Sequence, residues 1–95
     1  MIGKWKIVVD TPFGEEVYQM DVFKDADGIY GCIANDKGFL NFKDAELAGN
    51  IFSWSAKTTV PIDANVFFVA TLDDEHMHGK IKIDDYVQVQ FKGEK

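Results

Sequence analysis

The chain has 95 residues, 46% of them hydrophobic and 27% charged, which fits one compact domain with one core and excludes disordered, collagenous and low-complexity classes. Sixteen acidic residues against ten basic ones give a net charge of -6, and all ten bases are lysine. The planar guanidinium fork that grips phosphates is missing, so nucleic acid is not an expected partner. Alternation of apolar and polar residues, broken every seven to ten positions by turn chemistry, predicts an antiparallel meander of short strands and no helix. The first strand carries Trp5, Ile7 and Val9 on one face and ends at Thr11-Pro12-Phe13-Gly14. The second runs from about Glu15 to Lys24, with Tyr18, Met20 and Val22 inward, and stops at Asp25-Ala26-Asp27-Gly28. Strand three is Ile29 to Ala34, and Asn35-Asp36-Lys37-Gly38 turns it into strand four, Phe39 to about Leu47. After Gly49-Asn50 come Ile51–Thr59, Asn65–Leu72, His76–Ile83 and Tyr86–Lys92, joined by Val60 to Ala64, Asp73-Asp74-Glu75 and Asp84-Asp85.

The two halves of the chain echo each other. Sliding it by 49 residues places Trp5 on Trp54, Pro12 on Pro61, Val17 on Val66, Asp25 on Asp74 and Phe42 on Phe91, and a one-residue gap then brings Gly31 onto Gly79 and Ile33 onto Ile81. The reading is a single domain, 1–95, built from four-stranded repeats at about 2–47 and 51–95. Eight strands suffice to close a small barrel, which would remove exposed sheet edges. The expected fold is therefore all-β: an eight-stranded antiparallel meander forming a small closed or flattened barrel. Carried through the second half, the alternation places Phe52, Trp54, Phe67, Val69, Thr71, Met77, Ile81, Val87, Val89 and Phe91 inward. It leaves Val66, Phe68 and Leu72 outward, with Val17 and Phe23 of strand two.

Gly3-Lys4-Trp5 at the start of the first strand, with the turn-strand module Asp27-Gly28-Ile29-Tyr30-Gly31-Cys32-Ile33, resembles the avidin, lipocalin and fatty-acid-binding group of small-molecule-binding barrels. The fuller pattern of Gly3-x-Trp5, Thr11-Pro12-x-Gly14 and their echo at Trp54 and Pro61 is similar to a group of small bacterial β-domains of uncharacterised function. The first resemblance implies a lipocalin-like barrel that holds an apolar small molecule.

Two functions of different class follow. A binding module would line its interior with Trp5, Tyr18, Phe52, Trp54 and Phe67. A structural or interaction protein, as a homodimer or the accessory partner of an enzyme, would be packed solid and act through an outer apolar strip of Val17, Phe23, Val66, Phe68 and Leu72. Interior volume discriminates them.

Catalysis has no constellation behind it: there is no nucleophile elbow, phosphate loop or dinucleotide fingerprint, and no cofactor is expected. His76 and His78 lie two apart on a strand, but the alternation turns them outward beside Lys80 and Lys82, so no metal site is expected. Cys32, the single cysteine, reads as a plain thiol. With no partner for an internal disulfide and no apolar run long enough for a membrane span, the chain is expected to be cytoplasmic, without a membrane.

Overall fold

The computed structural model describes residues 1–58, 63–85 and 87–95. Eight strands follow one another: β1 Gly3–Thr11, β2 Gly14–Asp25, β3 Gly28–Asn35, β4 Gly38–Ala48, β5 Ile51–Thr58, β6 Ala64–Asp73, β7 His76–Ile83 and β8 Val87–Glu94. Each pairs antiparallel with the next, and β8 returns to β1 through Lys6–Asp10 against Gln90–Glu94, so the sheet closes as a barrel. The end of strand five at Thr59, the turn residues Val60, Pro61 and Ile62, and the start of strand eight at Tyr86 lie outside the described residues.

Turn chemistry acts where the sequence places it. The Asp25 carboxylate accepts the Asp27 amide at 2.8 Å and the Asn35 side-chain oxygen accepts the Lys37 amide at 2.9 Å, so two hairpins are pinned by their own first residues. The Thr11 hydroxyl accepts from Phe13 N and donates to Gly14 O, which closes the β1–β2 turn in the same way.

One register scheme serves both halves. Shifting β1 by 49 residues and β2 by 48 carries the facing pair Trp5 and Met20 onto Trp54 and Phe68. Shifting β2 and β3 by 48 carries Val22 and Gly31 onto Ala70 and Gly79, and moving β4 by 49 carries Gly31 and Phe42 onto Gly79 and Phe91. The second half is therefore one residue shorter between β5 and β6, not after β6.

That single residue corrects the expected facing of strand six. A one-position slip turns every side chain to the opposite face. Phe68 and Ala70 are completely buried, whereas Phe67 and Val69 are 43% and 48% exposed. Val66 and Leu72, expected outside, are half-buried against the core, and Thr71, expected inside, pairs beside exposed positions on the outer face. Val87 is also exposed rather than buried, because it faces Ile83 on the last rung of the β7–β8 ladder, at the barrel's end.

A bulge in β4 performs the reverse service. Ile29 faces Ala45 while Gly31 faces Phe42, so three residues of β4 span the interval of two on β3, and Asp44 takes a left-handed φ of 56°. Without the extra residue Asp44 and Glu46 would point inward. With it, Ala45 packs against the core and Leu47 faces Phe52.

Candidate functional site

The interior is filled by rings. Trp54 of β5 lies flat between Phe42 of β4, at 4.4 Å between centroids and 4° between planes, and Phe68 of β6, at 5.0 Å and 8°. Phe68 in turn stacks on Phe91 of β8 at 4.4 Å, and Phe52 meets both Phe42 and Phe68 edge-on at 6.3 and 6.2 Å. Four strands thus contribute to one aromatic column, each ring pair adding about 0.5–1.5 kcal/mol beyond the area it buries. Trp5, Ile7, Met20, Val22 and Met77 pack around the rest of the interior.

Of the five lining candidates, Trp5, Phe52 and Trp54 are buried and Tyr18 is half-buried against the same core. Phe67 is not among them. It stands on the outer wall beside Ser55 and Lys82, for the register reason already given.

The two tryptophans occupy equivalent rungs but bond differently. Trp5 Nε1 donates to the Met1 carbonyl at 2.8 Å, while Trp54 Nε1 is buried without an acceptor among the described residues. A buried, unpaired donor costs about 1–3 kcal/mol. Trp54→Phe keeps a ring in the column and removes that donor, so its loss in urea unfolding should be about 1 kcal/mol or less. Trp5→Phe, which breaks a made bond as well as shrinking the ring, should lose at least about 1 kcal/mol more.

Tyr18 sits where β2 reaches the barrel's rim. Its hydroxyl donates to Glu16 Oε2 at 2.7 Å, and Glu16 lies 3.6 Å from the Lys37 ammonium. Burial, and then the bond to the Glu16 carboxylate, push the Tyr18 phenol up to about 12. The folded state thus holds this proton more tightly than the unfolded chain. The resulting stability is complete below about pH 10 and is lost as pH rises toward 12. Urea midpoints measured across that window should fall, and Tyr18→Phe should flatten the fall.

A groove of about 570 Å3 opens where β8, β1, β2 and β3 adjoin, bordered by Lys4, Lys6, Val17, Gln19 and Glu94 and by two of the five lining candidates, Trp5 and Tyr18. It is a shallow furrow rather than an enclosed chamber. Of the five interface candidates, Val17 and Phe23 are exposed, and Phe23 stacks on Tyr30 at 5.4 Å. Phe68 belongs to the core, and Val66 and Leu72 lean into it, so the strip expected on strand six does not exist in that form. Its place is taken by Phe67 and Val69, which alternation on the wrong parity conceals, beside Ile51 of β5.

His76 and His78 are exposed on the outer face, opposite Glu94 and Lys92 of β8. Cys32 is a half-buried free thiol between Asp21 and Asn41. Among the described residues no group of three or more His, Cys, Asp or Glu side chains converges on a common point, and no helix is long and apolar enough to cross a membrane. Compared with known proteins, the chain matches no protein-family profile, no curated protein and no solved structure.

Proposed function

We propose that this chain is a non-catalytic β-barrel interaction module of the cytoplasm, packed solid inside, which acts by binding a partner polypeptide on its outer wall. The observation that carries this reading is the aromatic column: Phe42, Trp54, Phe68 and Phe91 stack through the space in which a carrier would hold its cargo. Large apolar side chains on the outside supply the complement, since Val17, Phe23, Phe67 and Val69 are each close to half exposed. The single unpaired thiol fits a reducing compartment.

A second reading, a binding module for an apolar small molecule, is favoured by one observation. The Trp54 indole N–H, without a partner among the described residues, is a buried donor that an acceptor-bearing ligand would satisfy.

A photo-cross-linking phenylalanine analogue placed singly at Val17, Phe23, Phe67 and Gln90, with irradiation in the protein's own host, tests the first reading. Adducts to another polypeptide at one or two adjacent positions are the expected result. Absence of polypeptide adducts at every position would overturn it.

A further inference from the structure

The outer wall is not uniform, and its least acidic part coincides with its apolar strip. The ladders align three rows across β5 to β8: Ser55, Phe67, Lys82 and Gln88; then Ser53, Val69, Lys80 and Gln90; then Ile51, Thr71, His78 and Lys92. Side chains at directly opposed positions share a face, so these twelve form one surface. Three of the ten lysines stand in it, and none of the sixteen carboxylates does. On a chain of net charge -6 this is a local inversion of sign. Carboxylates appear only at its margins, where Asp73 and Glu94 flank His76 on the next rung, Asp10 faces Gln90 across the β8–β1 seam and Glu46 faces Ser53 across the β4–β5 ladder. Lys82 reaches one of them, the exposed Asp85, at 3.4 Å, while Lys80 and Lys92 have no ion-pair partner among the described residues.

We infer that this face binds a short acidic peptide segment, its apolar side chains lying on the Ile51, Phe67 and Val69 strip and its carboxylates on Lys80, Lys82 and Lys92. The inference rests on the interaction-module reading and deepens it by naming the face and the partner's chemistry.

Size and sign together select that occupant. At about 4.8 Å between strands and 3.4 Å per residue, the face measures on the order of 15 Å by 15 Å, or roughly 250 Å2. A stable dimer needs about 800 Å2 from each partner, so the face suits a segment rather than a second folded surface. A second copy would also bring the same carboxylate-free rows, leaving each lysine without a carboxylate opposite it. An anionic membrane, being planar, would have to meet the marginal carboxylates Asp10, Glu46, Asp73, Asp85 and Glu94 along with the lysines, within about one Debye length. A narrow segment meets only the centre.

Fluorescence anisotropy with a labelled short peptide of alternating phenylalanine and glutamate, against its counterpart with lysine in place of glutamate, tests the assignment. The acidic peptide should bind the intact chain at least about tenfold more tightly than the basic one, and rising salt should weaken it. Lys80→Glu combined with Lys92→Glu should weaken it about tenfold, as should Phe67→Ser, whereas Lys24→Glu combined with Lys37→Glu, on β2 and at the β3–β4 turn across the barrel, should change it less than about twofold. All of these positions are exposed, so unchanged thermal midpoints should accompany the variants. Equal affinity for the two peptides, or losses that do not follow the β6–β8 variants, would overturn the inference. So would a dimer dissolved by Phe67→Ser, or pelleting with phosphatidylserine vesicles abolished by the paired lysine reversal. Cross-links confined to positions 17 and 23 would defeat this inference alone. Lack of any polypeptide adduct would defeat the interaction reading with it.

Discussion

Phe68→Ala should destabilise the barrel by about 3–5 kcal/mol, while Phe67→Ala, one residue earlier, should cost less than about 1 kcal/mol. The contrast follows from parity. Phe68 is fully buried and shares rings with Trp54, Phe52 and Phe91, so its removal leaves a cavity in the middle of the aromatic column. Phe67 leaves mostly solvent behind. Since a domain of this size has only about 5–14 kcal/mol in hand, the Phe68 variant should lose a large part of its urea midpoint, with the Phe67 variant close to wild type. Equal losses at the two positions would mean that β6 is not fixed in the register described.

The second large effect is expected at two glycines. Gly31 and Gly79 occupy equivalent rungs, opposite Val22 and Ala70, and at both the neighbouring strand passes too close for a side chain. A Cβ on Gly31 would collide with the Asp21 carbonyl oxygen and come within 2.7 Å of Phe42 Cζ. On Gly79 it would collide with the Val69 carbonyl oxygen and lie 2.9 Å from Ala70 Cα. Backbone atoms in a closed ladder cannot step aside as a side chain can. Gly31→Ala and Gly79→Ala should therefore each cost about 3 kcal/mol or more, and the double variant should not fold. Gly38→Ala is the control. Nothing lies within 4 Å of its added Cβ, and a change within about 0.5 kcal/mol is expected.

The eight strands were legible because the hairpins carry their own punctuation: Asp25, Asn35 and Thr11 each bond to the turn they begin. Strand six was legible as a strand but not in its facing. Residues Val66 to Ala70 are apolar at every position, so alternation carries no parity there. The matches of Val17 to Val66 and Asp25 to Asp74 then suggested a shift one residue too long. The deletion lies between Thr58 and Ala64, where the ladder alone reveals it. The bulge at Asp44 was equally hidden, since Lys43-Asp44-Ala45-Glu46-Leu47 reads as plain alternation with its charges inward or outward according to a single left-handed residue.

For the candidate site, direction was readable and volume was not. Trp5, Phe52 and Trp54 were correctly placed inside, but that Trp54 is clasped flat by two phenylalanines depends on distances no periodicity encodes. The lysine-bordered face was invisible for a simpler reason. With strand six turned over, Phe67 and Val69 could not be seen beside Lys82 and Lys80.

Native mass spectrometry of the protein purified from its own host tests the central claim most directly, because it weighs whatever the folded barrel retains. A packed barrel that works through its outer wall predicts a folded species at the mass of the polypeptide alone, or of the polypeptide with a bound peptide or protein partner that Phe67→Ser releases. A stoichiometric small molecule, kept by the folded protein, lost on unfolding and indifferent to Phe67→Ser, would contradict the claim and place the ligand inside, against Trp54.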